Sequence, residues 1–264
     1  MIERNGISLI AVLLSAVLLT GIFTDSAAAE SSVSLAATEF PPYYGKSLPD
    51  QGFISEIIRD AFESVGYRVA ISFLPWKRAL VLAKSGEYDG IYCGWFRTER
   101  EQWFAFSDPL PPNVLGFYSL KRRNIHFDSL DQLHPYTIGV VNAYSYPAAF
   151  EKGHFHVEAV SEDRLNILKL FAGRIDLVLI DKIMGQYLIR TYYPHDIDKF
   201  EWHEPPLQVE NQYLMFSKKA AEYQQKLADF NRGLQQIRES GRIDAIIAKH
   251  GFSELAPAVD PASP

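Results

Sequence analysis

Two stretches of this chain repeat one order of events: an amphipathic helix, a glycine stop, and an aspartate that opens an apolar strand. The first passes through Gly86-Glu87-Tyr88-Asp89 into Gly90–Cys93, the second through Gly173-Arg174-Ile175-Asp176 into Leu177–Ile180. Strands that alternate with helices predict parallel sheet, because parallel neighbours need a crossover connection and a helix is the usual one. A repeated round of such units predicts two lobes of like architecture.

The rest of each round follows from periodicity. Val33–Thr38 reads as a strand, and Glu39-Phe40-Pro41-Pro42-Tyr43-Tyr44-Gly45 as a rigid aromatic loop. Between Gly52 and Val65 the apolar positions Phe53, Ile54, Ile57, Ile58, Ala61, Phe62 and Val65 have helical spacing, and Gly66 ends the run. Tyr67–Phe73 alternates as a strand, and Trp76–Lys84 returns to helix. In the second round the spacing predicts a strand over Tyr136–Val141, a helix from Ser145, a strand near Val157 and a helix over Arg164–Phe171. Val114–Leu120 and Gln212–Phe216 are extended apolar runs, read as two strands crossing between the lobes. The expected partition is therefore 30–118 for the first part of lobe 1, 119–213 for lobe 2, 214–255 for helices returning to lobe 1, and a disordered Pro/Ala tail over 256–264.

The first residues carry a different signal. A short charged start with Glu3 and Arg4, an apolar stretch from Ile7 to Phe23 and the small-residue run Ser26-Ala27-Ala28-Ala29 have the layout of a cleavable secretory signal over 1–29. The alternative reading is a membrane anchor, which needs roughly 20 strongly apolar residues. Removing 1–29 takes away one base and two acids and leaves 25 basic against 30 acidic residues, a mildly acidic balance that argues against nucleic acid. The lone Cys93 cannot form an internal disulfide and sits in an apolar run, so a buried, inert thiol is expected. The His154/His156 pair is too small a set for a zinc site, so neither metal nor cofactor is expected.

In their order and spacing, Gly86-Glu87-Tyr88-Asp89-Gly90, Arg97-Thr98-Glu99-Arg100-Glu101, Phe106-Ser107-Asp108-Pro109, Ile138-Gly139-Val140, Gly173-Arg174-Ile175-Asp176 and Ser240-Gly241-Arg242-Ile243-Asp244 resemble extracellular solute-binding proteins that feed ABC importers for polar amino acids. The resemblance spans nearly the whole chain after the signal. It implies an α/β, two-lobed, periplasmic binding protein-like (type II) fold: two parallel-sheet lobes joined by two crossing strands. It further implies a monomer in the periplasm that closes on a small-molecule ligand, an amino acid or related carboxylate, and delivers it to the membrane permease of an ABC importer, with no catalysis.

A zwitterion stripped of water needs a cation and donors for its carboxylate and an anion for its ammonium. Arg100 is the expected carboxylate clamp, since its planar fork holds two oxygens at once, and it stands where a helix start is expected; Arg97 is the competing candidate. By resemblance the backbone of Gly94 and Phe96 completes this side, although Phe96 replaces a usual hydroxyl residue. Asp181 follows the strand Leu177–Ile180 and is read either as a helix cap or, as the resemblance implies, as the ammonium partner. Ser145 would cap the helix of lobe 2 and meet the carboxylate from that side, within a loop where Ala143 and Tyr144 depart from the family pattern and suggest a narrower pocket. Tyr43 or Tyr44, at the tip of the Pro-Pro loop, and Trp76 are expected to wall the ligand with rings. Arg78 is a further expected anion group, hinting at an acidic ligand. Two rival readings stay open: an enzyme on the same scaffold, of the kind that dehydrates cyclic carboxylic acids with Glu56 or Asp181 as proton donor, and a sensor module that keeps the cleft.

Overall fold

The computed structural model describes residues 31–142, 144 and 146–252. The expected signal, Ser145 and the expected tail lie outside these residues. Ten strands form one sheet: β1 (Ser31–Ala37), β2 (Tyr67–Phe73), β3 (Gly90–Trp95), β4 (Phe104–Phe106), β5 (Leu110–Leu120), β6 (Ile138–Val141), β7 (Val157–Val160), β8 (Leu177–Asp181), β9 (Phe200–Trp202) and β10 (Gln208–Ser217). Their order is β2-β1-β3-β10-β5-β8-β6-β7, with β4 on β10 and β9 on β5. Parallel pairing is confined to the two outer groups, β2-β1-β3 and β8-β6-β7. The two long strands between them, β10 and β5, are antiparallel to each other and to their neighbours. This is the mixed α/β architecture expected, two parallel groups joined by crossing strands.

Helices α1 (Phe53–Glu63), α2 (Trp76–Ser85), α3 (Ala148–Lys152), α4 (Asp163–Phe171), α5 (Lys182–Tyr192), α6 (Tyr223–Glu239) and α7 (Arg242–Lys249) cover the sheet. The chain returns through α6 and α7 to pack on α1, where the tilted rings of Phe62 and Phe230 meet at 4.9 Å between centres beside Phe216 of β10. Arg242 bonds Asp60, and Glu56 receives Lys249 at 2.9 Å and His250 at 2.7 Å, so polar contacts fasten α7 across the same seam. Among the described residues no helix is long and apolar enough to cross a membrane.

The repeated Gly-x-x-Asp units have a common structural use. Gly86 and Gly173 take positive φ values of 85° and 70° after α2 and α4, the left-handed stop that a side chain disfavours. Each aspartate then exchanges two hydrogen bonds with the residue just ahead of the segment its strand pairs with on the neighbouring strand. The Asp89 N–H donates to the Ser34 carbonyl at 2.8 Å while its carboxylate accepts the Ser34 N–H at 2.8 Å; Asp176 does the same with Thr137, at 2.9 Å in both directions. A cation completes each clasp, Lys226 on Asp89 and Arg123 on Asp176. The motif thus sets the register of β3 on β1 and of β8 on β6.

The crossing strands start earlier than hydropathy indicates, at Leu110 instead of Val114 and at Gln208 instead of Gln212. Pro111 and Pro112, which lack an N–H, fall where the β5–β10 register shifts between Glu210 and Gln212, a place where a missing donor costs no ladder bond. The second-lobe helix begins at Ala148, after Pro147, and is five residues long.

Candidate functional site

In open α/β sheets ligands bind outside the carboxyl ends of the strands. The two parallel groups here turn those ends toward one cleft of about 780 Å³. Phe40 and Tyr44 follow β1, Trp76 follows β2, and Gly94, Trp95, Arg97 and Arg100 close or follow β3. From the other group come Tyr144 and Tyr146 after β6, Asp163 after β7 and Asp181 at the end of β8. Asn113 and Leu115 of β5 and Gln208 and Glu210 of β10 contribute from the crossing strands.

Arg100 is half-buried in the wall. Its Nη1 donates to the Trp95 carbonyl at 2.9 Å, and its guanidinium lies 5.6 Å from the centre of the Trp76 ring. Burial, and then the cation of Arg97, pull its pKa below the usual arginine range. Among the described residues no carboxylate lies within 4.0 Å of it. Arg97, the competing candidate, also lines the cleft, but it donates to the Phe96 carbonyl at 2.7 Å and approaches Glu210 at 4.0 Å. The helix start expected after Arg100 is absent: Thr98–Arg100 is a single 3-10 turn, and the Arg100 N–H is already given to the Arg97 carbonyl at 2.8 Å. No helix terminus therefore assists an anion here. Gly94 lets the chain pass closely, since a β-carbon would stand 2.5 Å from the Met215 methyl and 3.3 Å from the Arg100 guanidinium.

Asp181 satisfies the cap reading and more. It accepts the Met184 N–H of α5 at 2.9 Å, the Tyr43 hydroxyl at 2.9 Å, the Val114 N–H at 3.1 Å and the Asn113 amide at 3.2 Å. Asn113 in turn accepts the Trp95 indole N–H at 2.9 Å. One buried carboxylate thus joins the aromatic loop, a crossing strand and α5. Burial pushes its carboxyl up, and the four donors act in the opposite direction.

Other sequence-expected residues divide. Tyr44, Trp76, Gly94, Arg100 and Asp181 come together in the cleft wall. Tyr43 does not; it is fully buried behind Asp181 and acts through its hydroxyl. Phe96 is 43% exposed, packs on Phe106 at 5.0 Å and is not part of the wall. Arg78 is a correction too: it is exposed and outside the cleft. It lies two positions beyond Trp76, about 200° around the helix, so the two side chains cannot share a face, and the hint of an acidic ligand loses its basis. Glu56, a candidate proton donor of the enzyme reading, lies outside the cleft under α7. Cys93 is buried as expected, with its thiol pushed up by burial, and it also forms part of the wall.

The acid that sequence reasoning passes over is Asp163. It is 8% exposed, opens α4, and accepts the hydroxyl of Tyr144 at 3.0 Å. Burial raises its carboxyl from 3.8 to about 6, with the Tyr144 bond opposing and the charge of Asp181 adding to the rise. The strand-end rule that singles out Asp181 after β8 applies equally to Ser161-Glu162-Asp163 after β7, and the signal was available there. A metal finds a set of atoms elsewhere, at Asp50, Glu56 and His250. The Lys249 ammonium already bonds Asp50 at 2.7 Å and Glu56 at 2.9 Å, so the positive charge those acids call for comes from the chain itself.

Solved structures that share the architecture include the following three. The arginine-, lysine-, histidine-binding protein ArtJ of Geobacillus stearothermophilus aligns over 86% of this chain and 97% of its own, at 21% identity and a TM-score of 0.63. Substrate-binding domain 2 of GlnP from Lactococcus lactis, in its open conformation, aligns over 86% and 98% at 19% identity and a TM-score of 0.65. A histidine kinase sensor domain with similarity to periplasmic binding proteins aligns over 86% and 98% at 19% identity and a TM-score of 0.64. At such identities the likeness is one of fold. No curated protein matches the chain. The family model for bacterial extracellular solute-binding proteins, family 3, matches residues 34–254, and the chain belongs to that family.

Proposed function

We propose that this protein captures a small zwitterionic ligand, an amino acid, in the cleft and hands it to the permease of an ABC importer. The observation that carries the reading is the half-buried guanidinium of Arg100, which has no carboxylate within 4.0 Å among the described residues and shares a cleft with the carboxyls of Asp163 and Asp181. A buried cation without a counter-ion is costly, and a ligand carboxylate relieves that cost. The ammonium belongs on the acidic side of the cleft. Rings of Tyr44, Trp76, Trp95 and Tyr144 offer faces to the rest of the molecule.

On this reading 30–118 with 214–255 form one lobe and 119–213 the other, hinged where β5 and β10 pair. A ligand that touches both walls favours closure by its differential contacts, and a membrane partner reads the closed form. The location is the periplasm, reached through the signal over 1–29. The arginine-, lysine- and histidine-binding of one structural neighbour, and the substrate-binding domain of another, fit the same kind of ligand.

The test is calorimetric titration of protein stripped of bound molecules by unfolding in guanidinium and refolding, with the twenty standard L-amino acids. Arg100→Ala is expected to weaken the tightest binder at least tenfold, since losing one partner of a buried charge pair commonly costs about 2 to 5 kcal/mol. The melting temperature of the empty variant is expected to stay close to wild type. A large drop without ligand would make Arg100 a structural residue and overturn the assignment.

A further inference from the structure

Among the described residues three carboxyls line the cleft; Glu210 faces Arg97, and the other two, Asp163 and Asp181, are not equivalent. Asp181 holds four donors contributed by three different elements. A carboxylate offers about four lone-pair sites, so an arriving ammonium would have to displace a bond that holds the fold. Asp163 accepts one side-chain hydroxyl, from Tyr144, and its own backbone N–H. Tyr144 is 48% exposed, so moving its hydroxyl aside disturbs little packing.

We propose that Asp163, and not Asp181, is the carboxyl that contacts the cationic group of the ligand, with Asp181 behind it adding negative field. This rests on the capture reading of the cleft. It also restricts the ligand. Arg97 faces Glu210, which leaves Arg100 as the cation open to a carboxylate, so an amino acid with an acidic side chain brings one negative charge too many. Neutral and basic amino acids are the class that fits.

The surroundings of Asp163 make the contact readable as a proton. Tyr144 and Tyr146 stand on the loop before α3, Glu162 precedes it and is paired with Arg164, and Asp181 approaches from β8. Across the cleft are Arg97, Arg100 and Glu210. In the empty cleft the carboxyl titrates at about 6. A cation seated against it favours the ionised form, so binding at pH 5.5 expels roughly 0.7 of a proton from this group, and binding at pH 7.5 expels almost none. Affinity for a ligand whose own charge is constant over this range therefore rises with pH through about 6.

The experiment is titration of the stripped protein with the twenty standard L-amino acids at pH 5.5 and 7.5, each in two buffers of different ionisation enthalpy, so that proton release is counted. Asp163→Asn keeps the shape and removes the charge. Expected results are a loss of tenfold or more in the affinity of the tightest binder at pH 7.5, no proton release at pH 5.5 in the variant, and weakest binding by aspartate and glutamate. A merely structural Asp163 would lower affinity without abolishing the release. Binding by Asp163→Asn within threefold of wild type, or undiminished proton release, overturns the inference while leaving the capture reading intact if Arg100→Ala still weakens binding at least tenfold. Tightest binding by aspartate or glutamate overturns it as well, and failure of every amino acid to bind sinks both.

Discussion

Replacing Asp163 by Asn should stabilise the empty protein at neutral pH. Ionising a carboxyl that is 8% exposed and close to Asp181 is unfavourable, and its pKa rises from 3.8 to about 6. The folded state then binds more protons than the unfolded chain between those two values, so this group's contribution falls as pH rises through the window. At pH 7.5, above both values, the full penalty is present: the shift corresponds to about 3 kcal/mol. At pH 5.0 only part has accrued, roughly 1.5 kcal/mol. An isosteric amide removes the ionisation and keeps an oxygen to accept the Tyr144 hydroxyl. For a domain of this size the gain at pH 7.5 corresponds to roughly 6 to 12 °C in melting temperature, and about half that at pH 5.0. Differential scanning calorimetry of stripped wild type and variant at the two pH values reads both numbers. Acids remote from Asp163 titrate alike in both proteins and cancel. A variant less stable than wild type at pH 7.5, or a gain equal at the two pH values, would show that Asp163 is not held against its charge, and the reasoning fails.

Tyr43→Phe deletes one donor to a buried carboxylate, and the expected loss is about 1.5 to 3 kcal/mol by urea unfolding, the usual worth of a hydrogen bond to a charged group. Unchanged stability would mean that the other three donors carry Asp181 unaided. Asp89→Ala and Asp176→Ala each leave a backbone N–H without its acceptor, at Ser34 and at Thr137, and strip a cation of its partner. Each is expected to cost about 1 to 3 kcal/mol, measured by the same unfolding; a cost at one site and none at the other would contradict the shared clasp.

Much of the architecture was legible because it depends on local pattern. Hydrophobic spacing at 3.6 and 2 residues per period marked α1, α2, α4 and the parallel strands, and the two Gly-x-x-Asp units marked the repeat. What was missed locally has local reasons. Hydropathy cannot see Pro111, which sits in the register shift between the crossing strands, or Gln208, which pairs with β5 without offering an apolar face. Arg78 was expected as an anion group because it stands at the opening of a helix, and helical geometry turned it outward.

The site was legible in part. The rule that ligand groups follow the carboxyl ends of strands singled out Asp181, and it would have singled out Asp163 had it been applied to β7; Arg100 was read from its planar fork and the resemblance, and Tyr44 from the rigid loop after the first strand. No pattern in the chain could tell which acid was already occupied. That depends on Tyr43, Asn113, Val114 and Met184 arriving together at Asp181 from positions 138, 68, 67 and 3 residues apart from it. Residue types and spacing determine which elements form and where charges can be placed along them. Whether a charge is spent inside the fold or left for a guest is a matter of burial and of donors brought from distant segments, and only the packed chain decides it.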